Sequence, residues 1–412
     1  MLTLSKSSGT GGRIKEFPED FIVKEITSGG VTLEPGVRYD AQGVGDIENP
    51  QGKFSTFVLQ KKDWNTIQAL ITIAKKLGRG KKSVSYAGTK DRKAISVQLA
   101  SIFGVLPEAV EKVRVKDISI NGAWRSDGVE MGDNIGNAFE IIIRDVANVD
   151  AASQTIEELG GRMPNYFDRQ RFGDRLGNAA IGLDLMNGRF EQAAMRILTD
   201  TTGETNVAAS EARRKLAEDM DFTKALEYFP RYLKSERGML QNLAQYGNYA
   251  GAIRTLHRGI SIMFIHAVES LVFNMALEQR VRESDFESGI FCQTSAYGFP
   301  NPEKITSERS EFPAGALVGY QTEDSAMDER TKKAMERLGI TKESFRIKSM
   351  PELSMKGSCR PLLAPVKRLI MENQGDSSVK VSFSIPSGSY ATVMINEITK
   401  SDNLDLESLI PK

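Results

Sequence analysis

One short stretch gathers the residue types that chemistry would need. Val84-Ser-Tyr-Ala-Gly-Thr-Lys-Asp-Arg-Lys-Ala-Ile-Ser-Val-Gln98 holds a single carboxylate, Asp91, among the cations Lys90, Arg92 and Lys93. Neighbouring positive charge favours an ionised carboxylate, the form in which an aspartate acts as nucleophile or base. The competing reading is a solvated turn with an internal ion pair, which is worth little. Apolar and β-branched residues alternate with others in Val84–Tyr86 and Ile95–Leu99, which predicts two short strands flanking the turn. Strands of that kind would hold Asp91 rigidly, as a site requires.

Other chemistries have little material. The chain has two histidines, His257 and His266, and two cysteines, Cys292 and Cys359, with neither CxxC nor HExxH. A disulfide framework and a Cys-rich zinc site are thereby excluded. Histidine triads and multi-histidine metal sites have almost nothing to be built from, and both histidines read as helix-surface or helix-contact residues. Gly78-Arg-Gly-Lys-Lys-Ser83 is not a Walker loop: Lys75 stands where the first glycine is needed and Lys82 where Ser or Thr is needed.

Two further segments suit phosphate. Lys75, Lys76, Arg79, Lys81 and Lys82 form a dense basic cluster, either a phosphate patch or a solvated helix end. In Arg162–Gly173, Tyr166, Phe167 and Phe172 interleave with Arg162, Arg169 and Arg171. That mixture suits base stacking with phosphate contact, or a domain junction that buries the aromatics.

These groups must be positioned by a chain of 412 residues, 40% apolar and 26% charged, with 54 basic and 54 acidic side chains. The length favours two or three domains, and the balanced charge argues against a strongly basic coat protein. The Gly- and Ser-rich residues 1–12 are predicted to be mobile. Strands are expected at 21–26, 54–60, 118–120, 128–131, 138–144 and 379–385. A helix capped by Asn65 or Asp63 should run Thr66–Leu77 with Ile67, Leu70, Ile71 and Ile73 or Ala74 inward. Residues 176–282 read as successive helices, 284–330 as irregular, and 390–397 as a strand or a strand–helix transition. The first residues lack a signal-peptide core. No apolar run approaches the ~20 residues of a membrane span, so the expectation is a cytoplasmic protein without a membrane partner. With β-rich material at both ends, the simplest architecture is an α+β domain interrupted by a helical insertion.

Five segments carry a family resemblance: Pro18-Glu-Asp-Phe-Ile-Val-Lys-Glu25; Tyr86-Ala-Gly-Thr-Lys-Asp-Arg-Lys-Ala94 with Gln98; Gly136-Asn-Ala-Phe139 with Arg144; Pro164-Asn-Tyr-Phe-Asp-Arg-Gln-Arg-Phe-Gly173; and Phe383-Ser-Ile-Pro-Ser-Gly-Ser-Tyr-Ala-Thr392. In this order they closely resemble the TruD family of tRNA pseudouridine synthases. The resemblance implies a pseudouridine-synthase catalytic domain around a bent antiparallel β-sheet (residues 1–160 and 361–412), interrupted by an α-rich TRUD insertion domain (161–360). It also implies isomerisation of uridine to pseudouridine in tRNA, at position 13 in bacterial relatives, with no cofactor and no metal.

Carried over residue by residue, Asp91 falls on the catalytic aspartate. Phe21, Asn137 and Tyr390 fall on positions that contact the uridine, and Lys15 and Lys90 on basic motif positions expected to help bind the substrate. Tyr390 stands where the family often has Phe, Asn396 where it has Arg, and residues 176–350 run longer than in bacterial relatives. The aspartate would act as a nucleophile at the base or sugar, or as a base at C2′ by way of a glycal. The uridine must leave its stack, at a cost of a few kcal/mol. Rival readings are a non-catalytic RNA-binding protein and a hydrolase pairing Asp91 with Glu25 or Asp20. A monomer is the favoured state.

Overall fold

A computed structural model describes residues 1–46, 48–295, 297–375 and 377–411. The first part of the chain supplies strands β1 (Phe21–Ile26), β2 (Phe54–Lys62), β3 (Val84–Tyr86), β4 (Ile95–Phe103), β5 (Ile118–Ser126) and β6 (Gly136–Ile143). The middle supplies β7 (Arg162–Pro164), β8 (Phe291–Thr294), β9 (Pro300–Thr306), β10 (Phe312–Leu317) and β11 (Ser358–Pro361). The return supplies β12 (Leu363–Pro365), β13 (Lys367–Gly375) and β14 (Ser378–Pro386).

Eight of these form one sheet in the order β13-β14-β6-β1-β4-β2-β5, with β3 added against β4. The sheet is not wholly antiparallel, because β1 runs parallel to β4. One edge of β4 is divided. Residues 95–97 pair with β1, and 100–102 pair with β3 in the opposite sense. In the interval the Leu99 N–H donates to the Glu25 carboxylate at 2.9 Å. The Asp91 turn leaves β3 and rejoins the chain at the start of β4, so both of its ends are fixed to the same strand.

Period-two alternation fills both faces of this sheet. Phe57, Leu59, Ala100 and Ile102 pack with Ala69, Leu70 and Ile73 of the helix Thr66–Lys76. Val58, Val97 and Leu99 pack on the other side with Leu33 and Trp124. The Asn65 side chain caps that helix, accepting from the N–H groups of Ile67 and Gln68. Ile67 itself faces outward, 43% exposed, contrary to the expected stripe, because Ala69 and Ala74 complete the inner face. Residues 128–131 are not a strand.

Residues 1–12 are pinned rather than mobile. Ser5 donates to Glu397, the Ser7 hydroxyl meets Thr155, and the Thr10 N–H donates to the Ile398 carbonyl. Small polar residues can lie in a groove where bulkier ones would not fit.

Helices from Asn178 to Glu283 form the expected bundle around Arg258–Glu283. That helix has 26 residues and a window of mean hydropathy 1.7, long and apolar enough to cross a membrane by length and composition. The sequence reads as a central helix here, at Ile260–Glu283, but not as an apolar run of membrane length, because Ser261, His266, Glu269 and Asn274 interrupt it. Here 72% of that window is buried, and Leu271 and Val272 lie in the bundle core. Residues 284–330 are not irregular: β8, β9 and β10 join β11 in a four-stranded sheet. Leu404, Leu406 and Leu409 return to pack in the helical core, although they follow the last strand of the large sheet.

Candidate active site

The Asp91 turn is held by side chains from three elements. Gln98 of β4 donates to the Gly88 carbonyl at 2.9 Å. Thr66, at the start of the helix beside it, accepts from the Lys90 N–H at 3.1 Å. Lys61 of β2, fully buried, donates to the Asp91 carbonyl at 2.8 Å. Burial lowers the Lys61 ammonium to about 8, with Asp91 opposing that shift and Lys90 adding to it.

The charges around Asp91 differ from those its own turn suggests. Its carboxylate pairs with Lys15 at 2.5 Å, both side chains about a quarter exposed. Lys15 sits at φ +58°, and its ammonium lies 4.1 Å from the Phe21 ring centroid. Lys90, read from sequence as a substrate contact, turns inward to Glu25 at 2.7 Å; the two side chains are 4% and 1% exposed. Arg92 and Lys93 are exposed, and Arg92 lies 3.8 Å from Asp63.

A cavity of about 360 Å³ opens at Asp91, lined by Phe21, Lys90, Asn137, Arg171 and Tyr390 among others, within the usual range for a ligand site. Register explains the convergence. Phe21 is at the start of β1, Asn137 on β6 lies opposite Glu25, and β14 ends in the turn that leads to Tyr390. Tyr390 is the residue before the closing helix Ala391–Thr399, not a strand residue. Its ring meets Phe167 edge-on at 6.3 Å. The Asn137 side-chain oxygen is buried without a hydrogen-bond partner. Such an orphan acceptor is uncommon and marks a place for an N–H donor.

The two acids of the hydrolase reading are engaged elsewhere. Glu25 holds Lys90 and the Leu99 N–H. Asp20 receives both arms of Arg144, at 2.7 and 3.0 Å. Burial pushes the Asp20 carboxyl up, but Arg144 and the Phe17 N–H more than reverse this and hold it below its usual range. Neither acid lines the cavity.

In the aromatic and basic segment, Tyr166, Phe167 and Phe172 are buried, as the reading that buries the aromatics expected. Arg171 reaches the cavity nonetheless. The basic cluster at Lys75, Lys76, Lys81 and Lys82 is exposed at the opposite end of β4 from Asp91. Both histidines lie at the long helix. His257 caps it through the Gly259 N–H, and His266 pairs with Glu269 at 3.1 Å.

Lys61, Glu25 as a brace, and Arg360 did not emerge from the sequence as parts of the site. A lysine at an inward position of a strand was the available signal for Lys61. Arg360 lies in a stretch without clear periodicity.

Residues 2–398 match the family described as tRNA pseudouridine synthase D (TruD). The chain is 32% identical to a protein of Methanosarcina acetivorans called probable tRNA pseudouridine synthase D, covering 98% of this chain and 96% of that one. A protein of Thermococcus sibiricus bearing the same description is also 32% identical, covering 96% and 97%. The crystal structure of the putative tRNA pseudouridine synthase D of Methanosarcina mazei superposes with a TM-score of 0.75 at 30% identity, covering 98% of this chain and 96% of that one.

Proposed function

The chain belongs to the TruD family of tRNA pseudouridine synthases, and from that premise we propose that Asp91 is the catalytic residue of a uridine isomerase acting on tRNA. The protein isomerises uridine to pseudouridine in tRNA. The reaction breaks the C1′–N1 bond, turns the uracil and forms a C1′–C5 bond, while C5 gives up a proton and N1 takes one up. No electrons are gained or lost.

The observation that carries the residue assignment is that Asn137, whose side-chain oxygen is an orphan, lines the same cavity as Asp91, the partner of Lys15. Uracil N3–H is a donor that this oxygen can accept. Phe21 and Tyr390 supply rings for a base taken from its stack, each such contact being worth roughly 1–3 kcal/mol. Lys15 orients the Asp91 carboxylate. The Asp91 oxygen not held at 2.5 Å is left for the sugar or the base. A free uracil must not escape between bond breaking and bond making, which calls for a walled cavity.

In this reading residues 1–160 and 361–412 form the catalytic module and 161–360 an insertion that helps to dock the tRNA. The target is position 13. The protein works as a cytoplasmic monomer with neither metal nor cofactor, which gel filtration and chelator-treated assays test.

The deciding experiment incubates unmodified tRNA transcripts with the protein alone and maps pseudouridine by its carbodiimide adduct. Conversion at position 13 is expected, and Asp91→Asn should abolish it while transcript binding persists. Turnover retained in the Asn variant would end the assignment of Asp91. Conversion at another position would overturn only the choice of site. Binding without any conversion would favour an RNA-binding protein.

A further inference from the structure

The Asp91 cavity is not closed on all sides. Arg171, Arg360 and the turn Ser387-Gly388-Ser389 line both it and a second cavity of about 600 Å³. These residues therefore stand on the boundary shared by the two chambers, here called the neck. The rest of the lining of the larger one includes His266 and Glu269 of the long helix, together with Met355–Cys359. It is large enough for a nucleotide.

The neck carries unneutralised charge. Both guanidinium groups rest against one ring, that of Phe167, with the Arg171 and Arg360 Cζ atoms 5.0 and 4.1 Å from its centroid. Arg360 is buried and gives its protons to neutral acceptors: the Asn165 carbonyl and side-chain oxygens and the Gly388 carbonyl, each at 2.8–2.9 Å. The Arg171 Nε is buried with no partner. Among the described residues no carboxylate pairs with either. Burial lowers Arg360 to about 10, and Arg171 adds to that lowering. Buried cations are normally paired, and two neighbouring ones without an anion are costly. The planar guanidinium fork of arginine matches the two non-bridging oxygens of an RNA phosphodiester.

We propose that the Arg171–Arg360 neck binds the phosphodiester joining the target uridine to its neighbour, and that the larger chamber receives that neighbouring nucleotide against the His266–Glu269 pair. This rests on the reading that the uridine occupies the Asp91 cavity. His266 keeps about a third of its surface open, while Glu269 is buried and holds its Nδ1 at 3.1 Å. The imidazole thus has a fixed orientation in which it can stack on a base or donate to it. The enzyme would read two nucleotides, one in each chamber.

The test is a chemical double-mutant cycle on a short RNA substrate. A neutral methylphosphonate replaces the phosphate on the 5′ or the 3′ side of the target uridine. With wild-type protein one of the two should weaken binding roughly tenfold or more, the scale of a lost charge-assisted hydrogen bond. In Arg171→Gln that same replacement should cost distinctly less than in wild type, the remainder belonging to Arg360, and Arg171→Lys should recover part of the affinity. The slope of log Kd against log salt should fall by about 0.7 in Arg171→Gln, as for one lost phosphate contact on a single strand.

Removing the neighbouring base should raise KM in wild type, and His266→Ala should add little to that rise. The proposal is overturned if wild type binds both methylphosphonate RNAs as tightly as the parent. Losses from Arg171→Gln and from the methylphosphonate that simply multiply would also overturn it. If wild-type protein converts no unaltered RNA, the function reading fails instead, and the binding cycle still decides the neck.

Discussion

Replacing Glu25 by Gln isolates the support beneath the aspartate from the aspartate itself. The exchange preserves shape and leaves an oxygen to accept the Leu99 N–H. It strands the Lys90 ammonium, whose side chain is 4% exposed and whose partner Oε2 lies at 2.7 Å. Breaking a buried ion pair from one side costs about 3–5 kcal/mol. For a chain of 412 residues, an unfolding entropy of ~2.1 cal/mol/K per residue gives about 0.9 kcal/mol/K. Unfolding as one unit would then lower Tm by about 3–6 °C. Removing both charges, with Glu25→Gln and Lys90→Met together, should recover most of the loss, since the penalty belongs to the unpaired charge. Scanning calorimetry at neutral pH reads the shift, and turnover at 25 °C should fall with it because the Lys90 backbone adjoins Asp91. A single variant melting within about one degree of wild type would refute this account of the pair.

Three further outcomes are expected. Lys15→Met, which removes the cation at Asp91, should lower kcat by roughly ten- to a hundredfold, as for a lost hydrogen bond to a charged group, with Kd for tRNA little changed; equal losses in both would assign Lys15 to binding. Tyr390→Phe should be nearly silent and Tyr390→Ala should cost about 1–3 kcal/mol in kcat/KM; a Phe variant as impaired as Ala would give the hydroxyl a role. Lys61 supplies a pH dependence. Its folded value of about 8 lies below its ordinary 10.5, so between these the unfolded chain binds the extra proton and stability rises with pH. Relative to Lys61→Met, wild type should gain up to about 1.4 kcal/mol per pH unit from pH 8 to 10.5, and denaturant midpoints that run parallel across that range would contradict the assignment.

Local pattern was legible where one element decides the outcome. Alternation located β1, β2, β4, β6 and β14, and Asn65 announced the helix it caps. The motif residues Phe21, Asp91, Asn137 and Tyr390 do meet at one cavity. Pairings across long separations were not legible. Asp91 is neutralised by Lys15 and not by Lys90, Arg92 or Lys93, because a strand and a turn carry neighbouring side chains in different directions. The four-stranded sheet of residues 291–361 escaped notice because its strands are short and interrupted by proline and glycine, which read as loop. The long helix was legible as a central helix from its apolar surface, but the partners of its buried polar residues were not: Asn274 exchanges hydrogen bonds with the Phe167 backbone.

The divided edge of β4 leaves the Asp91 turn with slack. Tyr86 lies opposite Ala100, and the turn rejoins the chain just before Ile95. Along a strand that separation is about 16 Å, whereas the intervening chain could extend to about 30 Å. Backbone tension therefore does not place the aspartate. Its position comes from polar struts, namely Gln98, Thr66, Lys61 and the Glu25–Lys90 pair. A turn tethered in this way tolerates a change in length without disturbing the sheet, so long as the struts keep their footholds. The sheet acts as foundation and the struts as the adjustable part, and the aim of the carboxylate can drift or be re-engineered one strut at a time.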